Sequence, residues 1–132
     1  MKEPAIFLVD DDEDDIYLAR LTFAAHFPEW TLTSFDDGQA LIDYFATHPD
    51  RPLPNLIILD LNMPRLTGFE TLIILKRHPK WKKVPVAILS TSSNVDDQTR
   101  SKAMGAFTFL VKPPTIDELA SLVSEGKSVY DI

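Results

Sequence analysis

Polar residues that can bind a cation or act as nucleophiles stand directly after the apolar runs of this chain. The residues in these positions are Asp10, Asp11, Asp60, Ser90 and Lys112. Each of these residue types, taken alone, is often explained by a turn or by the start of a helix. Their recurrence after four separate apolar runs is hard to explain by capping alone. It indicates a functional site if the ends of those runs lie together.

The chemistry that these residues favour is phosphoryl transfer with a divalent cation. Two carboxylates about 5 Å apart repel each other by roughly 3 kcal/mol at an effective dielectric of about 20. A hard cation would relieve that repulsion, and an all-oxygen ligand set favours Mg2+. Asp60 is then the candidate carboxylate nucleophile toward phosphorus, which would form an acyl phosphate. Lys112 would supply a positive charge, and Ser90 a hydroxyl, for the phosphoryl oxygens.

The apolar runs have the length and composition of strands. The run ending at Asp60 contains four large aliphatic residues between prolines, as in a parallel strand buried on both faces. The run that begins at Trp30 alternates imperfectly and indicates an edge strand. The predicted strands cover residues 5–9, 30–35, 56–59, 84–89 and 106–111.

Helical signals separate these strands. The acidic residues 12–15 suit the first turn of a helix, where they face the positive end of the helix dipole, and we interpret them as a solvated helix start. Residues 67–70 and 115–118 have the Thr-x-x-Glu form of a capping box. Strands that alternate with helices predict an α/β fold, a parallel sheet covered by helices on both faces. The carboxyl ends of such strands meet at one edge, where open sheets bind ligands.

Composition limits the remaining possibilities. The chain has 132 residues, no cysteine, a formal charge of -7 and a pI near 4.8. We therefore expect one soluble cytoplasmic domain without a membrane span, and no disulfide or thiolate chemistry. The acidic balance argues against nucleic acid as a partner, because a phosphate backbone needs clustered cations. The three histidines show no metal-binding spacing.

The motifs at the strand ends resemble those of the receiver domain of two-component response regulators. They are Leu8-Val9-Asp10-Asp11, Leu59-Asp60-Leu61-Asn62-Met63-Pro64 with Gly68, Leu89-Ser90-Thr91 and Val111-Lys112-Pro113. The resemblance covers essentially the whole chain. It implies a flavodoxin-like, doubly wound sheet of five parallel strands in the order 2-1-3-4-5. It also implies a cis peptide bond between Lys112 and Pro113.

The resemblance further implies a role for each site residue. Asp60 would accept a phosphoryl group from a histidine kinase or a phosphotransfer protein. Ser90 and Lys112 would bind the phosphoryl oxygens. The Mg2+ ligands would be Asp11, Asp60 and the backbone carbonyl of Asn62, with Asp10 acting through water. The chain would thus be no enzyme beyond its own phosphorylation and dephosphorylation.

We expect phosphorylation to be read on the surface made by the fourth helix, last strand and last helix. By resemblance, Ser90 would move toward the phosphoryl group and Phe109 would swing into the vacated space. The alternative is that Phe109 is simply half-buried edge packing, since aromatic residues are common in strands. The output partner is unknown, and a homodimer is left open.

Other interpretations stay open. A phosphatase of the haloacid dehalogenase type also places an aspartate after a buried strand, but it needs a second aspartate where Asn62 stands. A receiver that acts only as a phosphorylation-independent docking module would typically have lost an acid or the lysine. Two residues depart from the pattern that is common in the family. Thr91 would narrow access to the site, and Pro114 would stiffen the loop that leads into the last helix.

We expect residues 1–132 to form a single receiver domain without an output domain. The sequence leaves open whether this is a stand-alone receiver or one excised from a longer protein. His78-Pro79 and Val84-Pro85-Val86 favour the small regulators associated with phytochrome-like kinases.

Overall fold

Strands and helices alternate throughout the computed structural model, which describes residues 3–63 and 66–130. Pro64, which closes the central motif, lies outside the described residues. The strands are β1 (Ala5–Val9), β2 (Thr31–Phe35), β3 (Leu56–Asp60), β4 (Val86–Ser90) and β5 (Thr108–Val111). The helices are α1 (Glu13–His26), α2 (Gly38–Thr47), α3 (Gly68–Arg77), α4 (Val95–Ala103) and α5 (Ile116–Tyr130). A short 3-10 turn, Trp81–Lys83, precedes β4.

All five strands form one sheet in the order β2-β1-β3-β4-β5, and every neighbouring pair is parallel. This confirms the predicted flavodoxin-like fold and its strand order. β3 and β4 are buried along their whole length, as their continuous apolar runs predict. The edge strand β2 contains exposed and half-buried residues.

The sheet separates two apolar cores. Alternate residues of β1 enter different cores: Phe7 and Val9 lie in one, and Ile6 and Leu8 in the other. The first core contains residues of α2 and α3, and the second contains residues of α1 and α5. The strand ends therefore sit on a layer that is packed from both sides, which limits their movement.

The helix starts follow the predicted capping signals. Asp12 caps α1 by accepting hydrogen bonds from the backbone N–H groups of residues 14 and 15. Thr67 and Glu70 form the predicted capping box at α3. Thr115 and Glu118 exchange the same pair of hydrogen bonds at the start of α5.

Three strands begin later than the sequence predicts, and β3 and β4 each extend one residue further, to Asp60 and Ser90. β4 begins at Val86 rather than at residue 84, because Pro85 has no N–H for the ladder, although its carbonyl accepts a hydrogen bond from Ile57. β5 begins at Thr108 rather than at residue 106. Trp30 precedes β2, but its side chain is buried in the core on the α1 side. The Lys112–Pro113 peptide bond is cis, as predicted.

Candidate functional site

The carboxyl ends of β1, β3, β4 and β5 bring the predicted site residues together. The Lys112 ammonium lies 2.9 Å from the Asp10 carboxylate and 3.5 Å from the Asp60 carboxylate. The backbone of Ser90 is held beside Lys112, because its carbonyl oxygen accepts a 2.7 Å hydrogen bond from the Lys112 backbone N–H. The sequence prediction that separate strand ends converge at one edge of the sheet is therefore correct.

Three carboxylates form an acidic cluster at this edge. Asp10, Asp11 and Asp60 each offer a carboxylate oxygen, and these oxygens all lie within 4.8 Å of one another. Asp10 and Asp60 are buried, while Asp11 is exposed to solvent. Because the donors are all oxygens and two are shielded from water, the cluster fits a hard divalent cation.

Backbone N–H groups hold the two buried carboxylates in place. Asp10 accepts a 2.9 Å hydrogen bond from the Asp12 N–H, and Asp60 accepts one of 3.3 Å from the Asn62 N–H. Gly68 then packs the start of α3 against β3, since a methyl group there would lie 2.5 Å from the Asp60 carbonyl oxygen. The loop that carries Asn62 is therefore kept close to Asp60.

The pKa of Asp60 is raised from 3.8 to about 6. Burial is the largest cause, and the charge of Asp10 adds to it. The Lys112 ammonium and the Asn62 N–H act in the opposite direction but do not cancel the rise. The negative charge of Asp60 is thus incompletely neutralised by the chain's own groups, which is the electrostatic condition for recruiting a cation.

Lys112 is shared by three carboxylates. Besides Asp10 and Asp60, its ammonium contacts Asp15 at 2.8 Å, the shortest of the three distances. Burial alone would lower the pKa of Lys112, but the hydrogen bonds to Asp10 and Asp15 and the charge of Asp60 outweigh it and raise that pKa. The lysine is therefore firmly protonated at neutral pH.

Asp15 corrects the sequence interpretation. We expected it to be only a solvated acid at a helix start, and it does lie in the first turn of α1. Its side chain nevertheless reaches Lys112, because α1 leaves the end of β1 and places this turn beside the site edge. No spacing rule separates Asp15 from the neighbouring Asp14, so the local sequence contains no signal for this contact.

Ser90 and Phe109 occupy neighbouring strands. The Ser90 side chain is fully buried, and its hydroxyl oxygen accepts a 3.0 Å hydrogen bond from the Ser92 N–H. Phe109 pairs with Ile88 on β4 and is half-buried against the core on the α3 side. Thr91 is exposed beside the site.

Two depressions flank the site edge. A mainly apolar groove of about 120 Å³ runs between α1 and the sheet, and its polar wall is formed by Asp10, Asp15 and Lys112. On the other side, a cleft of about 290 Å³ lies between α3 and α4 and reaches Asn62. In that cleft the Arg100 guanidinium stacks 4.0 Å above the Phe69 ring.

The fold and the acidic edge together define a class of signalling domain, and comparison with known proteins identifies it. The family model for the response regulator receiver domain matches residues 6–124. The chain belongs to this family.

Two curated relatives match over most of their own length. The probable methanogenesis regulatory protein FilR2 of Methanothrix harundinacea is 33% identical over 132 residues, covering 95% of this chain and 82% of the relative. Response regulator Rcp1 of Synechocystis sp. is 32% identical over 128 residues, covering 95% and 87%.

Solved structures agree with the fold. The Mn2+-bound form of Rcp1 superimposes with a TM-score of 0.76 at 30% identity, over 98% of this chain and 91% of that one. The phosphorylated cyanobacterial phytochrome response regulator RcpA gives a TM-score of 0.78 at 30% identity, with the same coverage. Among the described residues, no helix is both long and apolar enough to cross a bilayer.

Proposed function

We propose that this chain accepts a phosphoryl group on Asp60 in a two-component phosphorelay and thereby switches a protein-binding surface. The observation that carries the proposal is the position of the Asp60 carboxylate. It is buried at a strand end, 3.5 Å from the Lys112 ammonium and beside two further acids. A buried carboxylate with an adjacent ammonium group and an acidic cluster able to hold a divalent cation is an arrangement that suits phosphorylation of an aspartate.

Mg2+ is the cofactor that we assign to the acidic cluster, and Asp10, Asp11, Asp60 and the Asn62 backbone carbonyl would hold it. When bound, it would neutralise the carboxylates and the entering phosphoryl oxygens. A structure of the relative Rcp1 contains Mn2+, another divalent cation, which supports this assignment.

The chain's own residues account for the transfer itself. A deprotonated Asp60 oxygen would attack the phosphorus of a phosphohistidine on a kinase or phosphotransfer protein. A P–O bond forms as the P–N bond breaks, and the leaving imidazole takes the electron pair of that bond and binds a proton from solvent. The Lys112 ammonium and the Ser90 hydroxyl would each donate a hydrogen bond to the phosphoryl oxygens. Asp60 would be the one side chain that the transfer modifies covalently.

The output would depend on Ser90 and Phe109. Once Ser90 turns toward the phosphoryl group, space opens behind β4 at the level of the neighbouring β5. Phe109 is half-buried there and can turn inward without breaking a hydrogen bond. The surface of α4, β5 and α5 would then change and present itself to an output protein.

The cellular setting is part of the same proposal. A histidine kinase or phosphotransfer protein in the cytoplasm would be the phosphoryl donor. The similar protein RcpA is a cyanobacterial phytochrome response regulator. This similarity supports a phytochrome-like kinase as the phosphoryl donor for this chain. The chain would catalyse no reaction on a separate substrate, and a homodimer remains compatible with the proposal.

Mass spectrometry after incubation with acetyl phosphate and Mg2+ tests the proposal. We expect one added phosphoryl group on the wild-type chain and none on Asp60→Asn. The control is Asp50→Asn, which removes an exposed carboxylate in the loop before β3, at the opposite end of that strand from Asp60, and should label normally. Equal labelling of Asp60→Asn, or undiminished labelling in EDTA, would refute the assignment.

A further inference from the structure

We infer that Asp15 is a positioning residue that holds the Lys112 ammonium away from Asp60 and so restrains phosphoryl transfer. The inference rests on the proposed function, because it concerns the lysine that would bind the phosphoryl oxygens. Asp15 itself lies outside the predicted phosphoacceptor and cation site. It acts only through Lys112.

The distances at the ammonium carry the argument. A lysine ammonium has three N–H donors. Two of them are engaged in short contacts with carboxylates that do not accept the phosphoryl group, at 2.9 Å to Asp10 and 2.8 Å to Asp15. The contact with Asp60 is 3.5 Å, too long for a strong charge-assisted hydrogen bond. The lysine therefore rests on the α1 side of the site.

The two restraining carboxylates differ in how easily they can release the lysine. Asp10 is 1% exposed and is fixed by the Asp12 N–H, so its charge has no access to bulk water. The Asp15 side chain is 36% exposed on the wall of the groove beside α1. Water can replace the ammonium at Asp15 at small cost, as for other partly exposed ion pairs. Asp15 is thus the contact that can be exchanged.

The movement required of Lys112 is confined to its side chain. Its backbone N–H is bound to the Ser90 carbonyl at 2.7 Å, and the strand end is therefore fixed. An entering phosphoryl group needs N–H donors: the third donor of the ammonium is not held by a short contact, and of the two that are, the one bound to Asp15 can be redirected. Removing the Asp15 charge should make that donor available earlier and speed the transfer.

Phosphorylation kinetics with acetyl phosphate and Mg2+ test the inference on Asp15→Asn. We expect the maximal rate constant to rise roughly 1.5- to fivefold, the range that a partly exposed charge pair supports. The Mg2+ dissociation constant should stay unchanged, since Asp15 is not among the clustered cation ligands. Asp15→Glu, which keeps the charge, should stay close to the wild-type rate.

Asp14→Asn is the matched control. Asp14 is the preceding residue, is exposed, and carries the same charge. Among the described residues, the carboxylates that contact the Lys112 ammonium are those of Asp10, Asp15 and Asp60, and not that of Asp14. This variant changes the long-range attraction of an anionic donor by a similar amount. A comparable acceleration in Asp14→Asn would overturn the inference, because net charge would then explain the effect.

NMR of the Lys112 side chain supplies a second measurement that needs no phosphodonor. Its signals should shift in Asp15→Asn and stay in place in Asp14→Asn. An unchanged or lower rate for Asp15→Asn, with Lys112 signals unmoved, would refute the restraint. These outcomes are distinct from failure of the proposed function, in which the wild-type chain itself takes up no phosphoryl group.

Discussion

Replacing Asp60 by asparagine should stabilise the folded domain when no divalent cation is bound. The Asp60 carboxylate is buried beside Asp10, and these two effects outweigh its attraction to Lys112. An asparagine of nearly the same shape removes the buried charge and still offers an oxygen to the Asn62 N–H. The variant that abolishes phosphorylation should therefore be the more stable protein.

The pKa of Asp60 sets the magnitude and the sign. Folding raises it from 3.8 to about 6, and each pKa unit is worth about 1.4 kcal/mol. The charged carboxylate should thus destabilise the fold by roughly 3 kcal/mol once it is ionised in both states. Because the folded pKa is the higher one, the contribution of Asp60 to the stability of the wild type is fully present below about pH 4. That contribution of roughly 3 kcal/mol is lost as the pH rises through about 6.

Urea unfolding in EDTA, followed by tryptophan fluorescence, measures the difference. With a urea slope of roughly 2 kcal/mol per molar, Asp60→Asn should unfold about 1.5 M later than wild type near pH 8. The two chains should converge near pH 4. Asp50→Asn is the control and should follow the wild type at both pH values. Mg2+ should narrow the gap by stabilising the wild type selectively.

One result would refute this reasoning. If Asp60→Asn is as stable as wild type, or less stable, in EDTA near pH 8, the buried carboxylate is not a source of destabilisation. The electrostatic case for a cation at this edge would then fail as well.

Three further predictions follow from the geometry of the site. In calorimetric titrations Asp11→Ala should weaken Mg2+ binding more than Asp12→Ala, because only Asp11 belongs to the acidic cluster, and equal losses would disprove its place as a ligand. With beryllofluoride as phosphoryl mimic, the NMR signals of Ser90 and Phe109 should move together in the wild type. Phe109 should stop responding in Ser90→Ala, and an independent response would exclude this route to output. Gly68→Ala should cost about 2 kcal/mol or more in unfolding experiments, because its methyl group would overlap the β3 backbone, and wild-type stability would contradict the close packing.

The sequence predicts this fold well because its strands are strongly marked. The continuous apolar runs of β3 and β4 and the capping boxes at Thr67 and Thr115 each agree with the global topology. The boundaries are less predictable. Ala106 is as apolar as the strand that follows, but its N–H is bound to the Ser101 carbonyl at the end of α4, not to the sheet.

The site is predictable only where its residues end strands. Asp60 and Lys112 stand at positions that the parallel topology brings to one edge. Asp15 reaches the same lysine from a helix, and its contact depends on how α1 crosses the sheet. That crossing is set by the packing of Phe23 and other α1 residues against the core, which a local pattern does not contain.

The position of β5 at the edge of the sheet has a consequence for the order in which a newly made chain can balance its charges. Ribosomes supply the segments from the amino end, so the three clustered acids are available well before Lys112, which lies 102 residues after Asp10. A central strand added last would have to open the sheet, whereas β5 pairs only with β4 and can dock on a completed edge. Docking of that last strand supplies the site's lysine, so the step that completes the sheet also brings a positive charge to its acidic edge.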